Sequence, residues 1–167
     1  AFIPIFWTRE LGTSPEQGSF ALTVFFSIGI FMTYIGGLLG DKYGPIKIIR
    51  LSLLVWLPAM FLLTEVPTFS SLIMMPIAYL LLLMIGAAKA ISYSPVIVLG
   101  QTYLAKSIGF ASGITLGVSQ TIGGVIAPVV GNLADTYSLP VAMMTLVPFL
   151  VMGLGASLIL KDPKKLQ

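Results

Sequence analysis

The sequence has no cysteine and no histidine among its 167 residues. Their absence excludes disulfides, thiolate and imidazole metal sites, Ser-His-Asp triads and haem ligation by histidine or cysteine. Charged residues make up only 9% of the chain, whereas about 25% is usual in a soluble domain. We therefore expect no metal, no other cofactor and no enzymatic activity.

Apolar residues dominate the amino-acid composition of the chain. Hydrophobic residues make up 57% of the chain, and the mean hydropathy is +1.02. A water-soluble fold cannot hide this much apolar surface, so the composition predicts a membrane protein in contact with a lipid bilayer. The nine Lys and Arg residues exceed the six Asp and Glu residues by a net charge of +3, but they form no continuous face, and most of them are scattered in short loops. We therefore expect no nucleic-acid partner.

Five segments are long enough to cross a bilayer, whose core of about 30 Å needs about 20 apolar residues. The predicted spans are residues 18–39, 45–63, 71–99, 109–133 and 140–160. Ser14 is a suitable N-cap followed by Pro15, which predicts that the first full helix starts outside the membrane at Ser14. We interpret the short apolar segment 1–7 as the end of a further span, with Trp7 at the membrane interface. The predicted fold is all-α, a multi-pass transmembrane helical bundle, and we expect the sequence to be a fragment.

The cations are distributed unevenly between the two sides that these spans define. One side carries Arg9 as its single cation, and the other carries Lys42, Lys47, Arg50, Lys106, Lys161, Lys164 and Lys165. Lys and Arg in short loops resist translocation, so the richer side is expected to be cytoplasmic. This predicts a protein of the cell (inner) membrane whose C-terminal tail, residues 161–167, is cytoplasmic.

Residues 37–43 and 131–137 share the pattern G-x-L-[small]-D-x-Y. The cation count places the two copies on opposite sides of the membrane, which indicates an inverted repeat of helix triplets. Transporters are commonly built from such repeats. The alternative is that Gly, Leu and Asp are simply common at helix ends.

Residues 37–44, followed by Lys47 and Arg50, resemble the cytoplasmic loop signature of the major facilitator superfamily, G-x-L-[small]-D-[RK]-x-G-[RK]-[RK]. Pro45 stands where the signature has its first basic residue after the glycine. The segments 2–7, 109–113, 123–128 and 131–137 resemble the C-terminal six-helix half of these transporters. Residues 98–104, followed by 109–113, are most similar to the fosmidomycin-resistance type of drug exporter.

This resemblance implies the domain organisation and the function. Residues 1–63 correspond to a remnant of helix seven with helices eight and nine, residues 71–160 to helices ten to twelve, and residues 161–167 to the tail. The partner is then a missing N-terminal half of the same polypeptide. The implied function is secondary active export of a small compound or drug, an anion being one option, by proton-coupled alternating access. The competing interpretation is a non-transporting scaffold subunit of a membrane complex.

The resemblance also implies a gating loop, formed by Gly37, Asp41, Lys42, Gly44, Lys47 and Arg50. In the family this loop is a latch that is made in one access state and broken in the other. Asp41 can pair with the nearby cations or with the N-terminus of a neighbouring helix. The alternative is that Asp41 caps the following helix and the cations only set the topology.

Lys89 is the charged residue deep in a hydrophobic run, where an ionisable group is by default a functional hypothesis. Helical spacing places Tyr79, Gly86 and Tyr93 on the same stripe. Lys89 and Tyr93 are therefore candidates to hold an anionic substrate such as a phosphonate, carboxylate or sugar phosphate. The alternative is that Lys89 extends its side chain to the cytoplasmic surface.

Two spans carry small residues at helical spacing. In the first full span, Gly29, Thr33, Gly36 and Gly40 predict a tight helix contact. In the fourth, one stripe holds Gly109, Gly113, Gly117, Gln120 and Gly124, and we expect its glycines to pack against another helix. Gln120 either bonds a neighbouring helix or faces the substrate path.

Overall fold

The computed structural model describes residues 2–69 and 71–160. Its α-helices are α1 (Ile3–Arg9), α2 (Pro15–Tyr43), α3 (Pro45–Glu65), α4 (Ser71–Tyr103), α5 (Ile108–Thr136), α6 (Leu139–Met144) and α7 (Val147–Ile159). Short 3-10 helices follow α3 and α4, and the described part of the chain contains no strand. The all-α prediction is confirmed. The predicted cytoplasmic tail, with Lys161, Lys164 and Lys165, lies outside the described residues.

Five segments in the described ranges are long and apolar enough to cross a membrane, and they coincide with the five predicted spans. They are Pro15–Tyr43, Pro45–Thr68, Leu72–Tyr103, Ala105–Thr136 and Leu139–Ile159. The first begins where its sequence predicts, because the Ser14 hydroxyl accepts a hydrogen bond from the Gln17 N–H and Pro15 occupies the first turn. The multi-pass transmembrane bundle is therefore confirmed.

The last span, predicted over residues 140–160, is divided into two helices. The helix α6 ends at Met144 and α7 begins at Val147, with a turn between them. Pro148 has no N–H to donate to the carbonyl of Met144, which removes one helical hydrogen bond at this point. The Thr145 hydroxyl donates to the Ala142 carbonyl at 2.7 Å and stabilises the turn.

The helix α4 is central, since it packs against α2, α3 and α5, while α7 packs on α3. The main core combines apolar residues of α1, α3, α4 and α6. Trp7 belongs to this core: its side chain is fully buried, and its ring meets that of Tyr79 at 5.6 Å between centroids. The helix α1 directs this side chain into the bundle, and the position of Trp7 at the level of the membrane interface stays a prediction.

The predicted tight contact of the first full span is confirmed as a seam between α2 and α4. A Cβ atom added to Gly36 would lie 2.8 Å from the Cα and carbonyl carbon of Ile91. One added to Gly40 would lie 3.1 Å from Cγ of Pro95. The two helices approach this closely because neither glycine carries a side chain.

Two long-range contacts order the ends of the bundle. Arg9 Nη1 lies 3.4 Å from Asp135 Oδ1, which places the end of α5 beside the end of α1. At the other end, the Arg50 guanidinium donates to the Ser157 carbonyl and places the end of α7 beside the start of α3. Asp41 and Asp135 thus lie at opposite ends, as the two copies of the sequence pattern require. That these copies mark an inverted repeat stays a prediction.

Candidate functional site

A groove of about 290 Å³ lies between α2 and α4. Its lining consists of Phe25, Phe26, Gly29, Ile30 and Thr33 from α2 with Gly86, Lys89, Ala90 and Tyr93 from α4. Gly29 is the middle residue of α2, and its ideal Cβ position is 4.0 Å from the Cβ of Ala90. The groove therefore lies at half the height of the helices. We call it the α2–α4 groove.

Lys89 directs its charge into the α2–α4 groove. Its ammonium nitrogen is 5.4 Å from the centroid of the Phe25 ring, a distance at which a cation is attracted to the aromatic face. The two helices run in parallel, since Gly86 contacts Phe25 and Gly40 is level with Pro95. The side chain of Lys89 therefore points towards the start of α4, away from the end at Tyr103 about 21 Å further along the helix. This orientation is away from the end of the bundle that the cation count predicts to be cytoplasmic.

Tyr93 lines the same groove and is 48% exposed. Thr33 also lines it, but its hydroxyl donates to the Gly29 carbonyl at 2.8 Å. Tyr79, from the same predicted stripe, lies elsewhere because its ring packs against Trp7 and Phe20. The structure thus brings Lys89 and Tyr93 together and assigns Tyr79 to the core. Sequence spacing alone could not distinguish Tyr79 from Lys89 and Tyr93, because residues on one face of a helix contact different neighbours at different heights.

Gln120 does not meet Lys89 and Tyr93. It is exposed on α5 and is absent from the lining of the α2–α4 groove. The structure therefore divides the three candidate cavity residues into a pair on α4 and a separate amide on α5.

The helix α5 presents most of its surface outward, with Ala111 and Val130 as its buried residues. A Cβ atom added at any of the predicted packing glycines would meet no heavy atom of the described chain within 4 Å; these are Gly109, Gly113, Gly117 and Gly124. A shallow apolar concavity of about 480 Å³ runs along this face from Phe110 to Ile122. Packing by these glycines stays a prediction.

The predicted gating loop is a one-residue link between α2 and α3. Gly44 has φ 94° and ψ 140°, a conformation that residues with a side chain rarely adopt. Its N–H donates to the Gly40 carbonyl at 2.9 Å, and Pro45 then starts α3. Gly37 is in contact with α4, since its ideal Cβ would lie 3.3 Å from the Ser94 hydroxyl. The glycines of the pattern therefore hold the turn tight against α4.

The charged residues of this loop have different environments. Asp41 is exposed in the last turn of α2, and the ammonium of Lys42 lies 5.1 Å from the centroid of the Tyr43 ring. Lys47 is exposed on the first turn of α3. The guanidinium of Arg50 binds carbonyls at the end of α7, and its pairing with Asp41 stays a prediction. Its Nε and Nη2 atoms lie 3.0 and 2.6 Å from the Ser157 oxygen.

Membrane-length helices around a half-height groove that is lined by one cation define the class of multi-pass helical membrane proteins. The chain belongs to the Major Facilitator Superfamily, whose sequence profile matches residues 1–167. The family resemblance of the sequence is thereby confirmed, and the narrower likeness to the fosmidomycin-resistance type stays a prediction.

A curated relative from Bacillus subtilis (strain 168) is described as "Uncharacterized MFS-type transporter YfnC". It is 31% identical to this chain over 151 residues, which cover 90% of the chain and 35% of the relative. The chain therefore spans about a third of the relative's length. No solved structure gave a significant match.

Proposed function

We propose that this chain is one half of a secondary active transporter that exports a small compound across the cell membrane by alternating access. The observation that carries this proposal is the ammonium of Lys89 directed into the α2–α4 groove. Secondary transporters bind substrate near the bilayer midplane, between helices that then rock as rigid bodies. Export is the direction that the resemblance to drug exporters supports.

The second half belongs to the same polypeptide in this proposal. The length of the relative, of which the matched region is 35%, supports a longer chain. The outward face of α5, with its glycines and Gln120, is a suitable surface for contact with that half. Residues 1–63 and 71–160 then correspond to the end of helix seven and helices eight to twelve.

Lys89 and Tyr93 form this half's share of the substrate site, and an anion is the substrate that Lys89 favours. A charge at mid-membrane costs at least about 2.5 kcal/mol, so its retention in an apolar groove needs a compensating interaction. An anionic substrate supplies that interaction directly.

The end of the bundle with the α2–α3 link is the gate, and it faces the cytoplasm. Asp41 acts as the latch of this gate, with Lys42 and Lys47 beside it. The contact of Arg50 with the end of α7 supports a C-terminus on the same side as these cations.

Proton coupling in this proposal depends on a residue in the other half. The Asp and Glu residues of the described ranges lie in loops or near helix ends, at Glu10, Glu16, Asp41, Glu65 and Asp135. None of these positions is level with the α2–α4 groove, where a proton carrier would be coupled to the substrate.

Transport by the full-length protein in proteoliposomes tests the proposal. Lys89→Ala is expected to reduce uptake of the transported anion at least about tenfold, because the substrate loses a charge-assisted contact. Membrane insertion is expected to remain intact. The matched control is Lys106→Ala, since Lys106 is exposed in the 3-10 helix after α4. Unchanged anion transport in Lys89→Ala would remove the groove from the transport path.

A further inference from the structure

We infer that the α2–α4 groove selects a monoanion with an apolar body, of the aryl carboxylate class, over polyhydroxylated dianions such as sugar phosphates. This inference rests on the proposed transport function and narrows its substrate class. Three properties of the groove support it, namely its charge, its supply of hydrogen-bond donors and its walls.

The charge of the groove matches one negative charge. Lys89 is the single charged residue among the described residues that line it. A carboxylate is neutralised by this one ammonium group. A phosphate dianion would bring a second negative charge to half the height of the helices, where an unpaired charge is costly.

The groove has few donors for a polar ligand. Its polar side chains are Thr33, Lys89 and Tyr93, and the Thr33 hydroxyl already donates to the Gly29 carbonyl. The ammonium of Lys89 and the phenol of Tyr93 remain, and their i, i+4 spacing places them on one face of α4. Two donors suit the two oxygens of a carboxylate. The hydroxyl groups of a sugar would lose water without an equal number of partners, and each such loss is unfavourable.

The walls of the groove are apolar and aromatic. Phe25 lies beneath the ammonium of Lys89, and Phe26 and Ile30 continue the α2 wall, exposed by 59% and 74%. A ligand ring beside Phe25 would bury apolar surface and meet the Phe ring edge-on or offset. At the same time its carboxylate would reach the ammonium that Phe25 holds. The binding geometry therefore favours a short link between the ring and the charge.

Calorimetric binding to the purified full-length protein in detergent tests this selectivity. The probes are benzoate, its neutral analogue benzamide, the dianion phthalate and glucose 6-phosphate. Benzoate is expected to bind, with each of the other three at least about tenfold weaker. Lys89→Gln is expected to weaken benzoate binding at least about tenfold, and Lys89→Arg, which keeps the charge, is expected to retain most of it.

Tyr93→Phe provides a second and milder variant. Loss of its hydroxyl is expected to weaken benzoate binding about threefold to tenfold while benzamide binding changes less. Tyr34→Phe is the matched control, because Tyr34 lies on α2 with 71% exposure and does not line the groove.

The inference is overturned if glucose 6-phosphate or benzamide binds as tightly as benzoate, or if benzoate does not bind at up to about 10 mM. A parallel transport assay separates this failure from failure of the proposed function. Transport of another compound that benzoate does not inhibit would overturn the proposed substrate class but not the proposed transport function. Benzoate binding that depends on Lys89, in a protein that transports none of the probes, would support the selectivity and count against transport.

Discussion

At the scale of the residue, Arg50 joins two helices that are far apart in the sequence. The last carbonyls of a helix have no partner within the helix, and they carry the negative end of its dipole. The Arg50 guanidinium reaches this end of α7 with Nε and Nη2 both on the Ser157 oxygen. Its Nη2 atom also lies 3.4 Å from the Leu158 carbonyl oxygen. Arg50 is therefore a fixed structural contact at the same end as Asp41.

Replacing Arg50 with methionine should lower the stability of the protein by about 1–3 kcal/mol. The change keeps much of the apolar stem but leaves the α7 carbonyls without their charged donor. The thermal unfolding midpoint in detergent measures this loss. Lys47→Met is the control, since Lys47 is exposed and is expected to shift the midpoint very little. Equal midpoints for the two variants would contradict the structural role of Arg50.

The sequence predicted the positions of single residues better than it predicted their contacts. Lys89 was conspicuous because charge is so scarce, but its direction along α4 depends on the position of Phe25 in another helix. Arg50 was assigned to the correct end of the bundle, but its partner is 107 residues away in the sequence. Trp7 was assigned to an interface from its residue type, and its burial depends on tertiary packing. Local sequence patterns therefore do not predict contacts between residues that are distant in the sequence.

At the scale of the element, the seam between α2 and α4 sets the shape of the groove. Gly36 allows the backbones to meet at Ile91, while Phe25 and Ile28 pack around Gly86. The groove opens between these two close contacts. Residues that hold the seam are therefore expected to control the groove without lining it.

Replacing Gly36 with alanine should destabilise the protein by about 1–3 kcal/mol or more. The new methyl group would overlap backbone atoms of Ile91, which cannot rotate away as a side chain could. The thermal unfolding midpoint measures the effect, with Gly155→Ala as the control. A Cβ at Gly155 on α7 meets no described heavy atom within 4 Å, so a neutral or slightly stabilising effect is expected there. A harmless Gly36→Ala would mean that the seam is looser than the structure indicates.

The helices themselves were largely predictable, because apolar length and local capping residues determine them. The five spans were found from hydrophobic runs, and Ser14 marked the start of α2. The break between α6 and α7 lies just before Pro148, and the hydrophobic run over residues 140–160 did not specify it. Pro58, Pro76, Pro95 and Pro128 lie inside continuous helices, so a proline in a membrane span does not by itself specify a break.

At the scale of the whole molecule, binding and gating are proposed to occupy different heights. The α2–α4 groove is level with the middle of α2, and Asp41 lies in its last turn. This separation is about 18 Å along the helix, counted from Gly29 to Asp41 at the usual helical rise. A change at the gate is therefore expected to alter the exchange between access states without removing any contact to the substrate.

The cation count and the two copies of the D-x-Y pattern predicted which loops lie at the same end of the bundle. The contacts Arg9–Asp135 and Arg50–Ser157 confirm which residues share an end. The outward face of α5 could be described from the sequence as a glycine stripe, but no described residue packs against these glycines. The proposed substrate selectivity also could not be predicted from the sequence, because it is argued from the α2 side chains that surround Lys89.

The separation of binding from gating is the central claim, and the kinetics of Asp41→Asn test it most directly. Turnover and substrate affinity are measured together for the full-length protein, with Asp135→Asn at the opposite end as the control. The Arg9–Asp135 pair is exposed and worth about 1 kcal/mol or less, so its loss is expected to change neither quantity appreciably. For Asp41→Asn we predict a turnover changed about fivefold or more with the substrate dissociation constant nearly unchanged. Turnover equal to that of the unmodified protein, or a loss confined to affinity, would contradict the account.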